Sequence, residues 1–134
     1  MSPKISIILS TYNEAYFIQE TLKSIFDNLT DVEVIIVDDS STDDTCKIIK
    51  DFNDPRVKLF VRKGRGLASA FLLGLINTKG EIIGWFDSNM PELFKKAQQM
   101  ISELEKNDLV ILSRYVPGGK DERSHLRVLS SKIL

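Results

Sequence analysis

Cysteine is almost absent from this chain. Cys46 stands alone among 134 residues, so no internal disulfide can form and nothing points to an oxidising compartment. An excess of either charge is also missing. Eighteen Lys and Arg meet nineteen Asp and Glu for a net charge of −1, which excludes a general nucleic-acid binder. Long hydrophobic runs are lacking: the longest mostly apolar stretch, Leu67–Ile76, falls far short of the ~20 residues of a membrane span. No leader pattern is visible, because Met1–Lys4 leads directly into a strand-like run, and the expectation is a soluble, cytoplasmic chain. Internal repeats, low-complexity tracts and interdomain linkers are missing too. A chain of this length is expected to form a single domain, 1–134, burying roughly two-thirds of its unfolded surface.

The most informative stretch present is Val34-Ile35-Ile36-Val37-Asp38-Asp39-Ser40-Ser41-Thr42-Asp43-Asp44-Thr45. A β-branched run of this kind reads as a strand buried on both faces. It stops at two adjacent carboxylates, and Ser41-x-x-Asp44 has the spacing of a capping box for a following helix. Strand and helix patterns alternate throughout. Strands are predicted at Ile5–Leu9, Val32–Val37, Val57–Val61, Glu81–Phe86 and Leu109–Leu112. Helices are predicted at Glu14–Asn28, Asp43–Phe52, from Gly64-Arg65-Gly66 to about Asn77, and from Pro91 onward. The third is nearly all apolar and is expected to be buried on most sides. Cys46, beside Ile48 and Ile49, reads as core. The fold class is therefore α/β: a three-layer, mostly parallel open sheet with helices on both faces and right-handed crossovers. After Ser113 the pattern changes to a Gly/Pro/charged loop, Tyr115–Glu122, and a helix from Ser124 with no partner element after it. The simplest reading is a chain that stops within its fold, or an unusually minimal one.

In open α/β sheets, ligands sit outside the carboxyl ends of the strands. Three such ends carry chemistry here: Ser10-Thr11-Tyr12-Asn13-Glu14, Asp38-Asp39 and Asp87-Ser88-Asn89. An aromatic such as Tyr12 can stack on a base, and a carboxylate such as Asp39 can accept from base N–H groups. Asp87-x-Asn89 offers hard oxygen ligands to Mg2+ or Mn2+ bridging a diphosphate. Between Arg56 and Lys79 lie six cations and no anion. Within that stretch Arg62-Lys63-Gly64-Arg65-Gly66 closes a strand and opens a helix, so Arg65 and the backbone amides can face phosphate. The glycine-rich dinucleotide fingerprint belongs after the first strand, where this chain has none. A phosphoacceptor receiver domain would place its acid pair after the first strand, an Asp after the third and a Lys after the fifth; here Asp38-Asp39 follows the second, Asp87 the fourth and Arg114 the fifth, so the acids are out of register by one strand.

Ser10-Thr11-Tyr12-Asn13-Glu14, Val37-Asp38-Asp39-Ser40-Ser41-Thr42-Asp43 and Asp87-x-Asn89 resemble the successive motifs of family 2 glycosyltransferases with a GT-A fold. Arg62–Leu67, Ser113-Arg114-Tyr115-Val116-Pro117-Gly118-Gly119 and Arg127-x-x-x-Ser131 are similar to the dolichyl-phosphate mannosyltransferase branch. The resemblance runs from Ile5 to Ser131. It implies that 1–113 is the nucleotide-sugar-binding part and 114–134 the start of an acceptor-phosphate part. Ser10, Tyr12, Glu14 and Asp39 would hold the nucleotide of a GDP- or UDP-sugar, with Asp38 beside them in a more structural role. Asp87 and Asn89 would meet the metal and diphosphate. Arg114, Arg127 and Ser131 would receive a polyprenyl (dolichyl-type) phosphate. Asp87 and Arg114 are then the catalytic pair of an inverting transfer, with mannose the favoured sugar, made at the cytoplasmic face of a membrane through peripheral contact. A phosphate oxygen is already ionised near neutrality, so no general base is required and the lone His125 need not be one.

Two departures stand out. The family's metal motif ends in Asp where this chain has Asn89, and the segment to Pro91 is about two residues short, which removes a further potential ligand. An Asn oxygen coordinates without charge, so the metal site is expected to be weakened. Members of the family also continue well past this length. The alternative is a non-catalytic or truncated module that binds a nucleotide-sugar without transferring it.

Overall fold

The computed structural model describes residues 3–64 and 66–119. Four strands, β1 (Ile5–Thr11), β2 (Val32–Asp38), β3 (Val57–Val61) and β4 (Ile82–Asp87), form one sheet in the order β3-β2-β1-β4. All three pairings are parallel, with Ile8 beside Ile35 and Trp85, and Ile36 beside Leu59. The helices are α1 (Ile18–Asn28), α2 (Thr45–Phe52), α3 (Leu67–Leu75) and α4 (Ala97–Glu103), the last preceded by a 3-10 turn at Pro91–Lys96. One compact unit extends to Gln98 and a second begins at Gln99.

The sheet centre is dry because β1 and β2 are covered on both faces. Ile7, Ile8 and Leu9 of β1 and every residue of β2 are buried, the burial expected of a parallel strand between helical layers. Parallel partners share a face, so Ile8, Ile35 and Trp85 lie together. That face meets α3: Phe71 packs its ring 4.7 Å from Trp85. A Cβ added at Gly74 would lie 2.5 Å from Ile8 Cγ2, so glycine lets α3 approach the sheet. On the opposite face Phe86 meets Phe94 of the 3-10 turn at 4.7 Å. There α1 packs against that turn and against α2, burying Ile18, Leu22 and Ile25 as a one-sided stripe. Each such fully buried aliphatic side chain contributes about 1.5–3 kcal/mol relative to exposure.

A buried polar knot closes the amino-terminal edge of the sheet. The Glu33 side chain is only 6% exposed and accepts from Ser6 Oγ at 2.6 Å, the Lys79 amide at 2.6 Å and Lys58 Nζ at 2.7 Å. Ser6 Oγ in turn accepts from the Gly80 amide at 2.8 Å. Three separate segments are thereby tied at the start of β1.

The four-strand parallel sheet and its helical layers agree with the sequence reading, while several boundaries do not. The first helix starts at Ile18, not Glu14, because Glu14–Phe17 forms a turn whose Glu14 carbonyl accepts from the Phe17 and Ile18 amides. The second starts at Thr45, not Asp43, and the Ser41/Asp44 capping box does not form: Ser41 Oγ donates to Asp38, and Asp43 takes the Thr45 amide. α3 ends at Leu75 and is not buried on most sides, since Leu72 is 57% and Ile76 78% exposed and its buried residues are Ala70 and Gly74. The fifth strand is not formed among the described residues: Leu109–Leu112 has no ladder partner there, and Leu109 and Ile111 are exposed. Cys46 is half-buried. The predicted final helix, with Arg127 and Ser131, lies outside the described residues.

The Glu33 knot sets an acid response. Burial pushes its carboxyl up, but the bonds from Lys58, Ser6 and the Lys79 amide outweigh burial and hold it below its ordinary 4.5. A depressed carboxylate stabilises the fold above its unfolded pKa, and that stability is lost as pH falls through the lower folded value. Glu33→Gln is expected to cost about 1–2 kcal/mol at neutral pH and to flatten the stability loss below pH 4.5, measured by urea unfolding across the acid range.

Candidate functional site

The carboxyl ends of β1, β2 and β4 open at one edge, and hydrogen bonds join the loops that leave them. At the end of β1 the chain turns at Asn13, whose φ of 52° is left-handed, a conformation Asn tolerates better than most residues. The Asn13 side chain reaches the loop after β2. Its Oδ1 accepts from the Thr42 amide at 2.7 Å and the Asp43 amide at 3.3 Å, and its Nδ2 donates to Thr42 Oγ1 at 3.2 Å. The backbone amides that follow are spoken for by the same loop. Asn13 N donates to Ser41 Oγ at 2.8 Å, Glu14 N to Thr45 Oγ1 at 2.9 Å and Ala15 N to Asp43 Oδ2 at 3.2 Å. Tyr12, just before this brace, is 55% exposed, so its ring is available to a planar ligand. Ser10 Oγ is buried with no hydrogen-bond partner among the described residues, and the Ser10 carbonyl accepts from Ser88 Oγ at 3.2 Å.

The two aspartates after β2 do different work. Asp38 is fully buried. Its Oδ1 accepts from the Ser41 amide at 2.8 Å and its Oδ2 from Ser41 Oγ. Burial and a hydrogen bond to Asp38 push the Cys46 thiol up to about 11, so this cysteine is no nucleophile near neutrality. Asp38 thus holds its own turn together. Asp39 is partly open: its amide donates to the Thr11 carbonyl at 3.0 Å, and its Oδ1 accepts from Arg62 Nε at 2.6 Å. Arg62 uses its other nitrogens to fix the entry to α3, with Nη1 on Ser69 Oγ at 2.8 Å and Nη2 on the Gly66 carbonyl at 2.7 Å.

After β4, Asp87 and Asn89 are exposed and Ser88 between them is buried. Asn89 Nδ2 lies 3.4 Å from Glu14 Oε1. Burial pushes the Glu14 carboxyl above its ordinary value, and the nearby charges of Asp43 and Asp87 push it further; the bond from Asn89 opposes them. These loops therefore create a negative field at one place. For a divalent cation such as Mg2+ or Mn2+, the donors fit in kind: the Asp87 carboxylate and the Asn89 carbonyl are hard oxygens in that field. They do not form a cage, for among the described residues no three acidic, histidine or cysteine side chains converge on one point. The protein's share of any coordination shell is small, and a diphosphate would have to supply much of the rest.

The structure brings Ser10, Tyr12, Glu14, Asp38, Asp39, Asp87 and Asn89 to the strand-end edge. Arg114 belongs to the second unit, in the turns of residues 114–118. Arg65, Arg127 and Ser131 lie outside the described residues. Three cations of the 56–79 stretch are already engaged by carboxylates. Arg56 pairs with Asp54 at 2.7 Å, Lys58 with Glu33 at 2.7 Å and Arg62 with Asp39 at 2.6 Å. The sequence reading passed over Asn13 as a brace and Arg62 as the partner of Asp39. The second was signalled, because both residues directly follow adjacent strands. The negative field yields a test: Asp87→Asn is expected to lower the Glu14 pKa, read by carboxyl-carbon NMR titration without metal.

This geometry has known counterparts. The sequence pattern of Glycosyl transferase family 2 matches residues 6–132. A dolichol-phosphate mannosyltransferase of Pyrococcus furiosus is 33% identical over 126 residues, covering 89% of this chain and 35% of that protein. A mannosyltransferase from Pyrobaculum calidifontis, solved with GDP-Man and Mn2+, superposes with a TM-score of 0.60 at 31% identity, over 66% of this chain and 28% of that one. Glucosyl-3-phosphoglycerate synthase from Mycobacterium tuberculosis, solved with Mn2+ and UDP, shares the fold with a TM-score of 0.64 at 24% identity, over 79% of this chain and 41% of that one. The chain spans between 19% and 39% of the length of the first curated relatives it matches. With its parallel sheet, its acidic strand ends and a family match over nearly its whole length, the chain belongs to glycosyl transferase family 2.

Proposed function

We propose that this chain is the donor-binding head of an inverting glycosyltransferase that moves a hexose, mannose in preference, from a nucleotide-sugar to a polyprenyl phosphate. The observation that carries the donor half is the electrostatic division of the strand-end edge. Asp39 is matched by Arg62 at 2.6 Å beside exposed Tyr12, whereas Glu14 feels the charges of both Asp43 and Asp87. The matched half suits a nucleoside: Tyr12 stacks on the base and Asp39 accepts from a base N–H. The unmatched half suits a diphosphate accompanied by a cation. Asp87 and Asn89 would hold that Mg2+ or Mn2+, which when bound supplies neutralisation of the leaving diphosphate.

The acceptor half rests on the Ser113–Gly119 motif and on the relative named a dolichol-phosphate mannosyltransferase. In the transfer, an ionised phosphate oxygen forms the new bond to the anomeric carbon as the bond to the nucleoside diphosphate breaks, so no proton need be removed. Arg114, Arg127 and Ser131 would orient that phosphate, and the protein's contribution is positioning more than acid–base chemistry. A lipid acceptor would bring the enzyme to a membrane face, cytoplasmic where nucleotide-sugars are made. Among the described residues no helix is long and apolar enough to cross a membrane.

A second reading, a module that binds donor without transferring it, is favoured by the sparse metal donors and by the engagement of Asn89 with Glu14. Titration calorimetry with GDP- and UDP-sugars, with and without Mn2+, separates these readings when joined to a transfer assay on a polyprenyl phosphate. Donor binding strengthened by Mn2+ is expected, and a folded sample with no binding at millimolar ligand would sink both. Asp39→Asn is expected to weaken donor binding about tenfold or more, the worth of a charged hydrogen bond. Asn89→Asp is expected to increase the Mn2+-dependent part. Transfer by the unmodified chain excludes the binding-module reading.

A further inference from the structure

The turn that carries Asp87 and Asn89 is held from behind by two hydroxyls on α1. Thr21 is fully buried, and its Oγ1 donates to the Ser88 carbonyl at 2.6 Å. One turn further along the same helix face, Ser24 Oγ donates to the Pro91 carbonyl at 2.6 Å. A threonine inside a helix commonly returns its hydroxyl to the carbonyl four residues earlier. Thr21 instead leaves the Phe17 carbonyl to its own backbone amide, at 2.9 Å, and sends its hydroxyl across to the β4 turn. It does so among the apolar side chains of Ile18, Leu22 and Ile25, where a β-branched polar residue gains nothing in helix propensity. The Ser88 carbonyl belongs to the peptide that leads into Asn89. Fixing that peptide plane fixes the direction in which the Asn89 side chain leaves the backbone. Ser88 Oγ donates in turn to the Ser10 carbonyl at 3.2 Å, so the buried middle residue of the motif is tied on two sides while its neighbours face solvent.

We propose that Thr21, supported by Ser24, is a positioning residue for Asp87 and Asn89, fixing the Ser88–Pro91 backbone so that both oxygens meet a diphosphate-bound cation in a fixed geometry. This rests on the donor-site reading above. The proposal makes a two-part demand. Loss of the Thr21 hydroxyl must weaken the cation-dependent part of nucleotide binding, and it must spare the nucleoside part made by Tyr12 and Asp39 on other loops.

The test is calorimetric titration of the folded chain with UDP and GDP, with and without Mn2+, on the unmodified protein and on Thr21→Val, Thr21→Ser and Ser24→Ala. Thr21→Val keeps the shape and removes the hydroxyl. It is expected to reduce the Mn2+-dependent gain in affinity by about tenfold or more, as residues behind a metal ligand commonly do, with metal-free nucleotide affinity unchanged. Thr21→Ser is expected to restore the gain. Ser24→Ala, at a partly exposed position that tolerates truncation, is expected to show the same split in smaller measure, and it carries the test if the valine variant fails to fold. Equal losses with and without Mn2+, or no loss in either, overturn the positioning role while leaving the donor site standing. If the unmodified chain shows no Mn2+-dependent gain, the metal half of the donor-site reading fails and the positioning role falls with it.

Discussion

The Asn13 side chain is the interaction on which the rest of the strand-end edge depends. It accepts two backbone amides of the β2 loop and donates to a hydroxyl of the same loop. Few other side chains could replace it. An aspartate would accept but not donate, and would add charge beside Asp43. A glutamine is longer by one carbon, and a β-branched residue would resist the left-handed backbone at φ 52°. With this amide in place, the β1 and β2 loops are tied together immediately before Glu14.

The opposite end of the sheet is locked by a different chemistry. Glu33 gathers a hydroxyl, an amide and an ammonium from three segments, and its burial is tolerable only because every one of those donors is present. A parallel sheet has no tight hairpins to hold its register, so polar contacts at both ends do that work around a core of aliphatic residues. The cations that looked segregated in sequence are used in this way. Lys58 and Arg62 each meet a carboxylate from elsewhere in the chain, and Arg56 pairs with Asp54 two residues away and lies 3.9 Å over the Phe26 ring. Clustering along a sequence is therefore poor evidence of clustering on a surface: alternate residues of a strand face opposite ways, as Lys58 and Leu59 do.

The sheet and its strand-end edge were legible because continuous β-branched runs followed by acids report both a buried strand and its exit. β2 carries the clearest such pattern, and every one of its residues is buried. The different work of Asp38 and Asp39 was only half legible, since the sequence shows two acids but not that Ser41 and Cys46 turn back onto the first. α3 and Leu109–Leu112 were misread for a shared reason. Apolar composition says that a segment could be buried, whereas burial depends on what lies against it. Leu72, Ile76, Leu109 and Ile111 are each left more than half exposed. The start of the fourth helical segment as a 3-10 turn also escaped notice. Pro91 marks a helix beginning without saying which hydrogen-bond spacing follows.

The edge that results is asymmetric in charge, and that asymmetry makes binding conditional. Asp39 enters any encounter already matched by Arg62, so a neutral base can approach it without a net charge to carry. Glu14 does not. Its carboxyl is raised by burial and by Asp43 and Asp87, which means that ionising it costs stability. A raised carboxylate contributes its stability below the unfolded pKa and loses it as pH rises through the folded one. An incoming diphosphate alone would deepen that repulsion. A cation arriving with it would reverse the sign, relieving Glu14 and Asp87 while meeting the phosphates. On the proposed donor reading, the charges of Asp43 and Asp87 beside Glu14 would favour a metal-bound diphosphate over a bare one. Asn89 tempers the effect, because an amide there adds an oxygen without a fourth charge and spends its nitrogen on Glu14.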